Sequence, residues 1–316
     1  MGSFSSVMNN DSFSSHDDVC NTSSNNNKQS NSSKRLNHKL KKANSDSSFS
    51  SCSYSSTSSI SKQIDEYIDD KVFHPPEFFP EDLIDPTSYN IEFIKTTNDK
   101  ETSFISIKNE QNEDKKCMIY SHGNAESILQ FGSTFFDVSE KFCIDVFCYD
   151  YQGYGFSKDK CSEQNCYDDL EAMVNHVLSL GYVKKNIFLV GRSLGSGIVI
   201  DYVSKDQEWT TPVILISPYK SIVKVVCDNF IGGMINKFHS ESKAKNVKCP
   251  VKIFHGENDD VINCSHGKKL AKLFENNNKG KYQITLIPNG THGIDIWSKK
   301  YVEYTDDLKE VFNYNT

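Results

Sequence analysis

Apolar residues are spread unevenly along this chain. Residues 1–62 are dominated by Ser, Asn and Lys, with almost no aliphatic side chains. Such a stretch buries too little apolar area to offset its ordering entropy, so a disordered tail is expected there. From residue 63 to residue 316 short β-branched or aromatic runs alternate with longer segments of helical period, which predicts one folded domain. Phe73-His74-Pro75-Pro76 near its start is incompatible with helix and reads as extended. The pattern predicts strands over Asn90–Thr96, Thr102–Lys108, Lys116–Ser121, Asp145–Tyr149, Asn186–Val190, Pro212–Ile216, Val251–His255 and Gln283–Ile287. It predicts helices over Ser127–Lys141, Glu163–Leu180, Gly195–Ser204, Cys264–Phe274 and Asp295–Phe312. Thr97-Asn98-Asp99-Lys100 reads as a hairpin turn between the first two strands. Beyond it the β-α-β alternation calls for parallel pairing with right-handed crossovers. Continuous apolar runs such as Ile187-Phe188-Leu189-Val190 suit central strands covered on both faces. The predicted class is α/β, with a mainly parallel, eight-stranded twisted sheet flanked by helices.

Charge and composition narrow the functions open to such a domain. The net charge of -7 argues against sequence-independent nucleic-acid binding, which needs a basic surface to release phosphate counterions. No run approaches the roughly 18 apolar residues of a membrane span, and no apolar h-region marks a secretory signal. The ten cysteines include no C-x-x-C pair, and Cys117 and Cys148 lie inside apolar strand runs, where they act as small hydrophobes. A reduced, cytoplasmic setting with free thiols is the expected context. In the tail, Met1-Gly2-Ser3-Phe4-Ser5-Ser6 fits the N-myristoylation pattern, and Lys34-Arg35-Leu36-Asn37-His38-Lys39-Leu40-Lys41-Lys42 is a basic cluster. Taken singly these read as a chance match and a solvated charge run. Together they match the pairing of one acyl chain with a polybasic patch that supports peripheral membrane contact.

The chemistry is concentrated at three places. Gly191-Arg192-Ser193-Leu194-Gly195 is G-x-S-x-G, set between a predicted strand and a predicted helix. In that context a serine is held on a sharp elbow with its hydroxyl exposed, and Ser193 is the candidate nucleophile. A hydroxyl needs a base of near-neutral pKa. His292, in the turn Asn289-Gly290-Thr291-His292-Gly293 after the last predicted strand, stands where the order nucleophile, acid, histidine would put it. His255 closes the preceding strand and would come before the acid. That acid should follow the strand Val251–His255, where Asp259 and Asp260 are adjacent and chemistry alone does not choose between them. Two backbone N–H groups must meet the developing oxyanion. Leu194, directly after the nucleophile, supplies one; Asn124 in Ser121-His122-Gly123-Asn124-Ala125-Glu126 supplies the other, with Ala125 as its neighbour alternative. His122 reads as a brace for that loop rather than a proton-transfer group.

These residues resemble the α/β-hydrolase superfamily in its S33-peptidase-like branch. The chain is most similar to the small α/β-hydrolase-domain proteins of the seventeen group, which are acyl-protein depalmitoylases. The resemblance is carried by Ser121-His122-Gly123-Asn124-Ala125, Tyr149-Asp150-Tyr151-Gln152-Gly153-Tyr154-Gly155-Phe156-Ser157, Gly191-Arg192-Ser193-Leu194-Gly195, Ser217-Pro218 and His255-Gly256-Glu257-Asn258-Asp259-Asp260-Val261-Ile262. It covers about residues 70–316. It implies the α/β-hydrolase fold, a Ser193–Asp259–His292 triad, no cofactor and no metal, and hydrolysis of an acyl thioester or ester on a protein or lipid-like substrate through an acyl-enzyme. A carboxylesterase, a lipase or a peptidase of small substrates is the alternative within the fold, and a non-catalytic scaffold the alternative outside it. The chain departs from the group in two ways. Its Cys20 and Cys52 stand alone where those proteins have an N-terminal cysteine cluster, and Gly293-Ile294 follows the histidine where Asn-Asp is usual. Residues 217–250 are too few for a large helical cap, so a short lid is expected. Within it Phe230, Ile231, Met234, Ile235 and Phe238 recur at helical spacing and are candidates for an acyl groove or for packing under the lid.

Overall fold

The computed structural model describes residue 66 and residues 68–76, 90–222, 237–278 and 283–314, all within the unit Lys62–Thr316. The expected tail, with Gly2 and the basic cluster, lies outside the described residues.

The eight predicted strands form one sheet. They are β1 (Ile91–Lys95), β2 (Glu101–Ile107), β3 (Cys117–Ser121), β4 (Asp145–Tyr149), β5 (Ile187–Arg192), β6 (Val213–Ile216), β7 (Val251–Gly256) and β8 (Ile284–Ile287), in the order β1-β2-β4-β3-β5-β6-β7-β8. The first two make the expected hairpin, with Ile91 opposite Ile105 and Lys95 opposite Glu101. Its turn is closed by Thr96 N–H on Lys100 O at 2.9 Å, with Asp99 at φ 59°. β2 pairs antiparallel with β4, and every later pairing is parallel.

Strand periodicity divides the core into two layers. In β3, Cys117 and Ile119 face one side, while Met118 and Tyr120 face the other. Helices α2 (Glu163–Ser179), α3 (Leu194–Lys205), the short α4 (Ser240–Ala244) and α5 (Ser265–Asn278) cover the first side. Helices α1 (Gly132–Phe142) and α6 (Thr305–Phe312) cover the second. All five residues of β3 and of β4 are buried, which explains their unbroken apolar runs. Cys117 and Cys148 are buried among them as packing groups.

Two predicted helices are shorter than expected. The segment Ser127–Lys141 is split into a 3-10 turn, Ile128–Gln130, and α1. Ser127 and Gln130 cap the start of that turn reciprocally, and Phe131 (φ -109°, ψ -7°) separates it from α1. The segment Asp295–Phe312 begins as a turn, with Asp295 Oδ1 accepting the Trp297 N–H at 3.2 Å. It continues as the 3-10 stretch Lys299–Tyr304, broken at Tyr301 (φ -115°, ψ 32°), and becomes α-helix only at Thr305.

The candidate groove residues fare unequally. Phe230, Ile231, Met234 and Ile235 lie outside the described residues. Phe238 is fully buried, edge-on to Phe73 at 6.0 Å and to Tyr167 at 5.6 Å, so it is a core residue and not part of a groove.

Candidate active site

The sheet changes direction at its middle. From β3 the chain steps outward to β4, then crosses back to β5 and continues the other way, so β3 and β5 are parallel neighbours whose following helices, α1 and α3, lie on opposite faces. Sites in open α/β sheets form in the crevice at such a switch point. The loop after β3 and the turn after β5 both open onto it.

Ser193 sits between β5 and α3 at φ 48°, ψ -113°, a conformation side-chain-bearing residues rarely adopt. The surroundings hold it there. Its N–H donates to Ile216 O at 2.8 Å, and the Gly195 N–H donates to His122 O at 3.2 Å. A Cβ on Gly195 would lie 2.0 Å from Ser121 O, and one on Gly191 would lie 2.5 Å from Gly195 O. The flanking glycines are therefore a steric condition of the elbow, because strand and helix approach too closely for any side chain.

The histidine and the acid are brought together by the loops after β8 and β7. Glu257 N–H donates to Ile287 O at 3.0 Å and Asn258 N–H to Gly290 O at 2.9 Å. A Cβ on Gly256 would lie 2.3 Å from Gly290 O, so these loops are in contact. His292 Nδ1 consequently lies 3.0 Å from Asp259 Oδ2 and 3.1 Å from Oδ1, while its Nε2 lies 3.1 Å from Ser193 Oγ. The tautomer that satisfies both ends donates Nδ1–H to the carboxylate and accepts the serine hydroxyl at Nε2. Asp259 is buried and Asp260 exposed, which distinguishes the adjacent carboxylates.

Asp259 is an anion held by donors. Burial pushes its carboxyl up, but hydrogen bonds from His255 and His292 and from the Ile262 N–H outweigh this and hold it well below the usual carboxylate range. The Val261 and Ile262 N–H groups reach Oδ1 at 3.0 and 2.7 Å. His255 is fully buried; its Nε2 lies 2.7 Å from Ile262 O and 3.3 Å from Asp259 Oδ2. It borders the acid, and it is His292 whose ring reaches Ser193 Oγ.

The loop after β3 is braced from below. His122 is buried, with Nδ1 2.8 Å from Gly123 O and Nε2 3.3 Å from Asp150 Oδ1. Tyr151 donates its hydroxyl to His122 O at 2.6 Å. Asp150 Oδ1 also takes the Ile128 N–H at 3.1 Å. Asn124 is tied by its side chain, which accepts from His74 N–H at 3.0 Å and from Tyr154 Oη at 2.6 Å and donates to Val72 O at 2.5 Å. Leu194 directly follows Ser193 as the first residue of α3.

Sequence reasoning missed the groups that join these loops. Arg192 pairs with Glu126 and donates to His292 O at 3.0 Å, and Glu126 accepts the Gly123 N–H at 2.6 Å. Arg192 occupies the variable place in G-x-S-x-G, where pattern reading assigns nothing. Among the described residues, no group of His, Cys, Asp and Glu is arranged to hold a metal ion, and no helix is long and apolar enough to cross a membrane.

Comparison with known proteins agrees with this fold. A protein of Acanthamoeba polyphaga mimivirus, named for the alpha/beta hydrolases, is 39% identical over 263 residues, covering 81% of this chain and 96% of its own length. The chain belongs to the α/β-hydrolase family. The serine aminopeptidase S33 family matches residues 112–242 of this α/β-hydrolase. The alpha/beta hydrolase domain-containing protein 17C of Xenopus laevis is 32% identical over 199 residues, covering 62% of this chain and 61% of that protein. The human 17C protein is 31% identical over the same length and 58% covered, so the chain spans about three fifths of these relatives. Among solved structures, a Pyrococcus furiosus esterase aligns with TM-score 0.59 at 18% identity, over 77% of this chain and 99% of the esterase. The ferulic acid-bound Est1E of Butyrivibrio proteoclasticus gives 0.56 at 17%, over 69% and 96%. These two likenesses concern the fold.

Proposed function

We propose that this α/β-hydrolase cleaves acyl thioesters or esters by way of Ser193, His292 and Asp259, and that its substrate is an acylated protein. The observation carrying the reading is the unbroken relay from Ser193 Oγ through His292 to Asp259, each step 3.0 to 3.1 Å. In this reading His292 Nε2 takes the hydroxyl proton as Ser193 Oγ attacks the acyl carbonyl, while Asp259 stabilises the imidazolium. The oxyanion is met by the N–H groups of Leu194 and Asn124. Gly123 N–H is engaged by Glu126 and Gly195 N–H by His122 O, which leaves Leu194 on the elbow side and Asn124, with Ala125 as its neighbour alternative, on the loop after β3. Collapse of the tetrahedral adduct expels the thiol or alcohol, protonated by His292, and leaves an acyl-Ser193 ester. Water activated by the same imidazole then hydrolyses it.

Likeness to the 17C proteins and the strand–elbow–helix context support the acyl-hydrolase assignment. The myristoylation pattern at Gly2 and the basic cluster support peripheral action at the cytoplasmic face of a membrane. The S33 family name keeps a peptidase of small substrates as the second reading. A side-by-side assay of an S-palmitoyl peptide, its O-acyl analogue and an aminoacyl amide tests the choice. Turnover of the thioester and ester is expected, with loss of both in Ser193→Ala. Turnover of the amide alone would replace it with the peptidase reading.

A further inference from the structure

We propose that Arg192 is a positioning residue, which with Glu126 locks the oxyanion loop and the histidine loop to the serine elbow. The inference rests on the hydrolase reading and adds to it what sets the distance between the triad and the oxyanion donors.

Arg192 is the last residue of β5 and directly precedes Ser193, so its backbone is part of the elbow. Its guanidinium divides between two other loops. One nitrogen pairs with Glu126 in the loop after β3, and Nη2 donates to the backbone carbonyl of His292 at 3.0 Å. Glu126 uses its second oxygen to take the Gly123 N–H at 2.6 Å, which fixes the His122–Gly123 peptide, one step before the peptide that carries the Asn124 N–H. Nucleophile, base and proposed oxyanion donor are thus joined by one ion pair and two hydrogen bonds. The loop is shaped around this clamp, since a Cβ on Gly123 would lie 2.8 Å from Arg192 Nη1 and 2.9 Å from Glu126 Oε2.

An exposed ion pair would carry little of this burden. Here the two side chains are only 16% and 17% exposed, so removing either partner leaves a largely desolvated charge that must draw in water or move the loops. The fork matters as well as the charge. A guanidinium reaches two acceptors in fixed directions, and an ammonium at this position is a single point that does not reproduce both contacts. Active-site groups must be held to within about 0.5 Å of productive geometry. A misplacement of about 1 Å costs on the order of 100-fold in rate.

The test uses the full chain with Arg192→Ala, Arg192→Lys and Glu126→Gln, assayed on an acyl ester and followed by hydrogen–deuterium exchange. For Arg192→Ala the expected result is a fall in kcat of about 100-fold with KM within about threefold of wild type. Guanidinium ion added to the assay restores much of that kcat, and Arg192→Lys fails to restore it. Exchange rises together in residues 123–126 and 290–294, while β3 and β5 keep their protection. Glu126→Gln, which retains a neutral acceptor, loses less and shows the same paired exchange in weaker form. Wild-type kcat in Arg192→Ala would overturn the proposal, as would a loss that guanidinium leaves untouched and that follows a general fall in stability. Should the wild-type chain hydrolyse nothing, the hydrolase reading fails and exchange alone decides the clamp. Linked acceleration of the two loops would then support it, and unchanged loops would overturn it.

Discussion

Ser193 carries a backbone conformation that costs of order 1–3 kcal/mol in a residue with a side chain, and the structure around it supplies the constraint. Removing the hydroxyl and removing the strain are separable. Ser193→Ala keeps the strain; Ser193→Gly removes it and gives back part of the gain through the flexibility of the unfolded chain. Ser193→Gly is expected to be the more stable of the two variants by about 1 kcal/mol in urea unfolding. Asp259 makes a second prediction through its depressed pKa. A carboxyl whose folded pKa lies below its unfolded value stabilises the fold fully above the unfolded value of about 4, and this contribution is lost as the pH falls towards the folded one. Burial opposes that depression, and the donors from His255, His292 and Ile262 N–H outweigh it. The gap in unfolding free energy between wild type and Asp259→Asn is therefore expected to be flat above about pH 5 and to shrink below about pH 4.

Elements are joined to the site by buried polar groups that periodicity cannot show. Asp169 on α2 accepts from Thr102 on β2 at 2.5 Å and from Gln152 N–H and Nε2, both at 2.9 Å. Burial raises its pKa to about 6 even so, with those three donors pulling the other way. A raised carboxyl favours folding most at pH values below its unfolded pKa, and the advantage disappears as the pH rises through about 6. Thr102→Val removes one donor to the ionised form. It is expected to cost more stability near pH 7.5 than near pH 4.5, where the folded carboxyl is protonated, as paired denaturant titrations would show. Strands were legible because β-branched and aromatic runs mark them, and the observed ends differ from the expected ones by a residue or two. Helix limits were less legible. A break at Phe131 and the Asp295 contact with the Trp297 N–H shorten helices that apolar spacing alone would extend. Phe238 shows the same limit from the other side, since its helical spacing with Phe230 to Ile235 was open to groove or packing and tertiary contact with Phe73 and Tyr167 decided for packing.

Taken as a whole molecule, the sheet makes distant residues into neighbours. Ser193 and His292 are 99 positions apart and Asp259 and His292 are 33 apart, yet the parallel order β5-β6-β7-β8 brings their loops to one edge. That convergence was legible because motif order and strand order agree in this fold. The Arg192–Glu126 pair was not, because its partners share a location only after β3 and β5 pair. The central claim is that Ser193 is an activated nucleophile, and labelling of the folded chain with a fluorophosphonate probe, mapped by mass spectrometry, tests it most directly. A single adduct on Ser193 is expected, lost in Ser193→Ala and strongly slowed in His292→Ala. A folded chain that takes up no probe, or takes it up at another residue with Ser193 unmodified, would contradict it.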